Sequence, residues 1–154
     1  SRMYRQPSPP GRASSFASAV RLDGDKRLPL LRAAQIEVEL RGKDPAQALS
    51  LAQAAQGDFP AAAELVDLEA AAARAKGDQA AALDAAQRAL ALQPTPQRAA
   101  AYAQTRVAAG QKSEAIAGLR DWVSGHPADA ANRTLLALLL HQEGDRAGAK
   151  SSFV

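Results

Sequence analysis

Apolar residues recur along this chain at spacings of three and four, which is the period of one face of an α-helix. In residues 45–56, for example, Ala48, Leu49, Ala52 and Ala55 fall on one side of such a helix. Prolines precede and glycines follow several of these segments, as is typical of helix starts and helix ends. The pattern predicts helices over residues 12–22, 29–41, 45–56, 61–75, 79–92, 97–108, 113–124 and 129–142, and a turn at 144–145 into one more helix.

Glycines and prolines in the second half of the chain repeat at a fixed interval. Gly77, Gly110 and Gly144 lie 33 and 34 residues apart, and Pro94 and Pro127 each follow one of the first two by seventeen residues. A period of this length is typical of stacked helical hairpins, in which each hairpin buries its apolar face against the next. The sequence therefore predicts an all-α repeat architecture.

The periodicity divides the chain into successive repeats. Residues 1–11 are rich in proline and predict a linker or disordered lead-in. The rest is predicted to form a lone helix of a partial repeat and then three whole repeats and one truncated repeat, at 12–28, 29–60, 61–95, 96–128 and 129–154. We expect the chain to be a piece of a longer array, with any targeting segment upstream.

One hairpin resembles the tetratricopeptide repeat. The resemblance rests on small residues at fixed distances from a turn glycine, namely Gly77-Asp78, Ala82-Leu83, Ala89-Leu90, Leu92 and Pro94. It covers about residues 29–150 and implies a right-handed superhelical solenoid of antiparallel helix hairpins. At Val66, Glu69 and Ala70 the chain departs from the aromatic and Leu-Gly positions of that repeat, so we expect the hairpin at 61–93 to be loosely packed.

A pentatricopeptide RNA reader is the nearest rival for this period. It usually repeats every 35 residues, whereas the small residues Ala82 and Ala89, five and twelve after Gly77, favour the tetratricopeptide form. The formal charge of +3 is concentrated in the first 43 residues, and aromatic residues make up only 4% of the chain. Since nothing interleaves basic residues with aromatic ones for base stacking, we expect no nucleic-acid partner.

A second resemblance is narrower. Residues 95–110, 114–123, 126–129 and Arg133, and also 45–77, are similar to the C-terminal region of bacterial exosortase-associated tetratricopeptide lipoproteins of the PEP-CTERM system. That family consists of long repeat arrays encoded beside exopolysaccharide and exosortase genes, with a lipid anchor at an N-terminus that lies outside this sequence. Membership implies an extracytoplasmic scaffold, in the periplasm or at the outer membrane; otherwise we expect a cytoplasmic protein.

No reaction chemistry is visible in the sequence. The chain has no cysteine and two histidines, so neither a thiol nucleophile nor a sulfur metal site is possible. We expect His126 to bond late helix carbonyls and His141 to lie on the first helix of the last repeat without ligating a metal. No cofactor, metal or catalytic residue is predicted, and the protein is not expected to be an enzyme.

Three further sets of residues have structural explanations. Trp122 stands where the repeat usually has alanine, and we expect it in the core, the alternative being an exposed anchor for a partner. The carboxylates of 37–39 and 64–69 suggest solvated helix faces rather than an acid-base pair. Ala82, Ala89 and Ala115 are predicted to be buried where helix axes come closest.

The predicted function is a non-enzymatic scaffold that binds a peptide or protein segment in a concave groove lined by first helices. The alternative is a structural spacer of a longer array with no ligand of its own. Leucines between 135 and 140 also predict self-association through the C-terminal end, which Leu139→Glu should relieve. The tetratricopeptide resemblance implies groove positions at Glu37, Arg41, Glu64, Asp67, Arg74, Gln97, Gln104, Thr134 and His141, with Ala71, Ala100 and Leu138 among them.

Overall fold

The structure is a computed structural model that describes residues 28–151, with side chains for residues 28–145. Within this range the chain forms seven α-helices and no strand. The predicted lead-in at 1–11 and the predicted lone helix at 12–22 lie outside the described residues, and of the partial repeat at 12–28 only Leu28 is described, as the first residue of α1. The helices are α1 (Leu28–Arg41), α2 (Pro45–Asp58), α3 (Ala63–Lys76), α4 (Gln79–Leu92), α5 (Pro96–Ala108), α6 (Lys112–Gly125) and α7 (Ala130–Ser151).

Consecutive helices pack as hairpins that stack in sequence order. Helices α1 and α2, α3 and α4, and α5 and α6 form three hairpins, and each second helix also packs against the first helix of the next hairpin. First helices meet at α1 with α3 and at α5 with α7. Because every helix contacts its neighbours along the chain, the architecture is the all-α helical repeat solenoid that the sequence predicts.

Local sequence accounts for the helix ends. Gly77 and Gly110 have φ of 86° and 80°, a left-handed conformation that glycine adopts without a steric penalty, and each closes the turn between two helices of a hairpin. At the starts of α2, α4 and α5, the side chains of Asp44, Asp78 and Thr95 accept hydrogen bonds from the backbone N–H three residues later. These signals place the turns at the predicted spacing.

Alanine accounts for most of the buried hydrophobic residues in the described range. Ala82, Ala89 and Ala115 are at most 1% exposed, which confirms their predicted positions at helix contacts. Larger buried side chains are few, and Ile36, Leu65 and Leu119 are the main ones. A core of methyl groups requires close helix approach, so added volume is poorly tolerated.

The hairpin of α3 and α4 is not loosely packed. Val66, Glu69 and Ala70 are 1%, 5% and 3% exposed, so the positions that depart from the repeat pattern are filled. The prediction was wrong because it assumed that close packing needs the aromatic and Leu-Gly residues of the repeat pattern at these positions. The Glu69 carboxylate is buried and satisfied by hydrogen bonds from α2 and α4.

Three helices contribute to the hydrogen bonds around Glu69. Its Oε2 accepts from Gln56 Nε2 of α2 at 2.5 Å and from Arg88 Nη2 of α4 at 2.7 Å. Arg88 also donates to Gln56 Oε1 and to Asp84 Oδ2. Burial alone would lower the pKa of Arg88, but the hydrogen bonds to Glu69 and Asp84 outweigh it and raise that pKa. The predicted solvated face at 64–69 is therefore wrong for Glu69.

Helix α7 differs most from the sequence prediction. The expected turn at Gly144 and Asp145 is wrong, because α7 continues through them to Ser151. Glycine permits a left-handed conformation without imposing it, and inside a helix it costs only about 1 kcal/mol relative to alanine.

The leucines of α7 divide between core and surface. Leu139 is 5% exposed and belongs to a cluster with Ala103, Ile116 and Leu119, whereas Leu138 is 52% exposed. The expectation that Leu139→Glu relieves an exposed apolar surface is thus wrong, since that side chain already lies in the core.

None of the helices between residues 28 and 151 combines the length and apolarity needed to cross a bilayer.

Candidate functional site

The inner face is the surface formed by the first helices α1, α3, α5 and α7, and it contains all nine predicted groove residues. Asp67 is half-buried and the other eight are exposed, so every one of them is accessible from solvent. Not all nine converge, and the structure groups them into one cluster and several separate positions. The nine are Glu37, Arg41, Glu64, Asp67, Arg74, Gln97, Gln104, Thr134 and His141.

The cluster surrounds a cavity between α3 and α5, which we call the inner-face cavity. Its volume is about 190 Å³. Three predicted residues, Asp67, Arg74 and Gln97, line it, together with Arg98, which was not among the predicted groove residues. The remaining lining residues are Ala70, Ala86 and Ala101. The cavity thus has a floor of methyl groups and a polar wall on each side.

Asp67 and Arg98 form an ion pair across this cavity. Arg98 Nη2 donates to Asp67 Oδ2 at 2.8 Å, and its Nε lies 3.0 Å from both carboxylate oxygens. Arg98 Nη1 also donates to the carbonyl oxygen of Gln93. The Arg98 side chain is 12% exposed and that of Asp67 is 42% exposed, so the pair connects two repeats at the edge of the core.

Arg98 was missed because its partner is 31 residues away in the sequence. One signal was present: Arg98 lies 33 residues after Leu65, which is fully buried in the preceding repeat. A cation at a position that holds a core leucine in the preceding repeat requires a carboxylate nearby, because a buried charge is costly unless it is paired. The repeat register therefore indicated an ion pair, although not its acceptor.

Arg74 makes a second contact between α3 and α5. Its Nη1 donates to Thr105 Oγ1 at 3.3 Å, and the Thr105 hydroxyl donates to the carbonyl oxygen of Ala101 at 2.7 Å. The rest of the Arg74 side chain is exposed. Its other guanidinium donors have no acceptor among residues 28–145, so they face solvent or a ligand.

Four of the other groove residues make contacts within one helix, whereas Glu64 and Gln104 are exposed and have no side-chain hydrogen bond or ion pair among residues 28–145. Arg41 Nη2 lies 3.8 Å from Glu37 Oε2, and His141 Nε2 lies 3.2 Å from Asp145 Oδ2. Thr134 donates its hydroxyl hydrogen to the carbonyl oxygen of Ala130. Exposed pairs of this kind contribute about 0–1 kcal/mol, so they constrain the inner face little.

The end of α6 holds the remaining sequence candidates. His126 Nδ1 lies 2.9 Å from the carbonyl oxygen of Trp122, which confirms the predicted interaction with a late helix carbonyl. Trp122 is half-buried, so it belongs wholly to neither predicted class. Its indole Nε1 donates to Asp129 Oδ2 at 2.7 Å, and its ring stacks on that of His126 with centroids 3.7 Å apart.

Asp129 caps α7. Its carboxylate accepts hydrogen bonds from the Asn132 backbone N–H, from the Trp122 indole and from the Asn132 side chain. These bonds, the one from the Asn132 backbone N–H foremost, lower the pKa of Asp129 below its ordinary value because they favour the charged form.

Among the residues whose side chains are described, no group of three or more histidines and carboxylates is arranged to hold a metal ion.

Comparison with solved structures identifies the fold. Two crystal structures of MamA match with TM-scores of 0.63 and 0.64 at 20% identity, covering 91% of this chain and 80% and 85% of theirs. TTC0263, a thermophilic TPR protein of Thermus thermophilus, matches with a TM-score of 0.57 at 25% identity over 83% of this chain. This chain spans 60% of TTC0263.

Sequence comparison adds no closer relative. No family model matches the chain, and no curated protein is significantly similar to it. The resemblance to the PEP-CTERM lipoproteins therefore stays a prediction. The structural matches support the first resemblance, and the chain has the helical repeat fold of tetratricopeptide proteins.

Proposed function

We propose that the protein is a non-enzymatic scaffold that holds an extended segment of a protein partner along its inner face. The observation that carries this proposal is the inner-face cavity, where Asp67, Arg74, Gln97 and Arg98 surround a floor of alanines. Helical solenoids present such surfaces for binding, and their fold supports a protein interaction scaffold in general.

The chemistry of the cavity suits a peptide backbone. Gln97 supplies an amide donor and acceptor, and Arg74 supplies free guanidinium donors, so both N–H and C=O groups of an extended chain find partners. The Asp67 carboxylate is held by Arg98 and does not need the ligand for charge balance. The small alanine floor lets a backbone approach closely.

Site-specific photocrosslinking in source cells tests this proposal. A photoreactive benzoylphenylalanine at Gln97 should crosslink a discrete partner, and Arg74→Glu in the same chain should reduce that yield. The matched control places the same group at Arg120, which is exposed on α6 away from the inner face. Equal crosslinking at positions 97 and 120, or yield indifferent to Arg74→Glu, would refute inner-face binding.

The spacer alternative makes the opposite prediction. A spacer contacts only neighbouring repeats, so position 97 should give no crosslink to another protein. The exposure of eight of the nine groove residues is compatible with a spacer. The inner-face cavity, to which the second and third repeats both contribute polar side chains, favours a ligand. We therefore rank the scaffold first.

We also propose, from the resemblance of residues 95–133 to PEP-CTERM lipoproteins, an extracytoplasmic role in extracellular polysaccharide production or protein sorting. Antibody detection in fractionated source cells tests the location, and exopolysaccharide release by a deletion strain tests the role. Recovery of the protein in the cytoplasmic fraction alone would refute the location. That result would leave the inner-face proposal intact, because crosslinking measures it separately.

A further inference from the structure

The third repeat (α5 and α6) differs from the second (α3 and α4) at three positions where the second repeat has a buried alanine. Ala73, Ala85 and Ala89 are at most 1% exposed. The residues 33 positions later are Arg106, Gly118 and Trp122. A guanidinium and an indole do not fit where a methyl group fills the space, so helices α5 and α6 leave an opening there.

This opening is a cleft of about 290 Å³ bounded by α4, α5 and α6, which we call the Trp122 cleft. Its polar and aromatic lining residues are Tyr102, Arg106, Asp121, Trp122 and His126, and Leu90 and Leu119 line it as well. It uses a different stripe of α5 from the inner-face cavity, which takes residues 97, 98 and 101. The two cavities are therefore separate sites.

The aromatic wall is fixed before any ligand arrives. Trp122 donates its indole N–H to Asp129 and stacks on His126, so its polar edge is satisfied and its ring orientation is set. The chain has six aromatic residues, and two of the three in the described range line this cleft. A rigid aromatic surface loses little entropy on binding, which favours its use as an anchor.

Arg106 adds a cation to this apolar wall. Its guanidinium lies 4.1 Å from the centre of the Tyr102 ring, and Nη1 donates to the carbonyl oxygen of Glu114 at 3.1 Å. No carboxylate among residues 28–145 forms an ion pair with Arg106, and its other N–H groups have no acceptor there. A half-buried guanidinium with unused donors is a site for an anion.

Gly118 is what allows Arg106 to take this position. A Cβ at residue 118 would stand 2.7 Å from Arg106 Nη1. The conflict is with the end of a flexible side chain, so a substitution there displaces the guanidinium while the helices keep their places. The position of the Arg106 guanidinium therefore depends on the absence of a side chain at Gly118.

We propose that the Trp122 cleft binds a protein segment in which a large apolar side chain is followed by an acidic residue. The apolar side chain packs on Tyr102 and Trp122, and the carboxylate accepts hydrogen bonds from Arg106. Tryptophan, tyrosine and arginine are the residue types that dominate binding energy at protein interfaces. The volume is at the lower end of small-molecule sites, which run from about 300 Å³ upward, and suits one anchoring side chain.

Trp122 is the only tryptophan of the chain, so its fluorescence and its single indole N–H resonance report directly on this cleft. The probe is the peptide acetyl-Gly-Phe-Glu-Gly-amide, titrated into the 154-residue protein. Matched peptides replace the glutamate by glutamine or the phenylalanine by alanine. We expect a saturable response to the first, binding weaker by about tenfold for the glutamine peptide, and no saturation for the alanine peptide.

Two protein variants identify Arg106 as the anion partner. Gly118→Ala should narrow the preference for glutamate over glutamine to about threefold or less while the fold persists, because alanine is the better helix former. Gly57→Ala is the matched control, since a Cβ there meets nothing within 4 Å, and it should keep the full preference. Arg106→Gln should abolish the preference.

Three results would overturn the proposal. The first is a Trp122 signal that the phenylalanine-glutamate peptide leaves unchanged, and the second is equal affinity for the glutamate and glutamine peptides. The third is a Gly118→Ala protein with the preference of the unsubstituted chain. Inner-face crosslinking is independent of all three, so failure here leaves the scaffold proposal standing.

Discussion

The ion pair between Glu69 and Arg88 provides a sharp test of how the second hairpin is held. The side chain of Glu69 is 7% exposed and that of Arg88 is 41% exposed. The two partners therefore differ in what their removal leaves behind. Arg88→Met leaves a buried carboxylate without its charged donor, whereas Glu69→Leu leaves a guanidinium that still reaches water and Asp84 at 2.8 Å.

The two substitutions should differ in cost accordingly. Losing a hydrogen bond to a buried charge costs about 1.5–3 kcal/mol, and because Arg88 is partly exposed we expect about 2 kcal/mol for Arg88→Met. Glu69→Leu gains apolar burial and should stay within about 1 kcal/mol of the unsubstituted protein. The double variant should be close to neutral, since neither charge remains buried alone.

Urea unfolding followed by far-ultraviolet circular dichroism measures these free energies of unfolding. Arg120→Met is the matched control, because Arg120 is exposed on α6 and forms no ion pair among residues 28–145, and it should change stability by less than about 0.5 kcal/mol. An Arg88→Met protein as stable as this control, or Glu69→Leu costing as much as Arg88→Met, would refute the reasoning.

Three more substitutions test packing and capping. Ala89→Leu should cost roughly 1–3 kcal/mol by overpacking, and an unchanged thermal midpoint would reject the close helix contact at this position. Leu139→Glu should destabilise the protein by more than about 2 kcal/mol in urea unfolding rather than improve its solution behaviour, because it places a charge in the core; an undiminished midpoint would contradict this. The lowered pKa of Asp129 predicts stability that is present at neutral pH and lost as pH falls through that folded-state pKa. Trp122 fluorescence should follow this acid transition, and Asp129→Asn should remove it; an identical acid profile for the variant would refute the assignment.

Sequence alone determined the seven helices of the described range, the turns at Gly77 and Gly110 and the small core residues, but not the end of α7. Gly77 and Gly110 close turns through their own backbone freedom, and Asp44 and Asp78 cap helices through bonds to residues three positions away. Such effects are local, so they are visible in a few consecutive letters. The period of 33 or 34 residues then determined the stacking, because each hairpin has only its neighbours to pack against.

Only the tertiary structure decided how charged and polar side chains are paired. Arg98 meets Asp67 across 31 residues, and Arg88 meets Glu69 across 19, so neither pair follows from local spacing. The continuation of α7 past Gly144 does not follow from local spacing either, because a glycine permits a turn without imposing one. The Trp122 cleft likewise exists because α4, α5 and α6 leave space around the side chains of Arg106 and Trp122. That space results from the packing of the three helices and not from any one segment of the sequence.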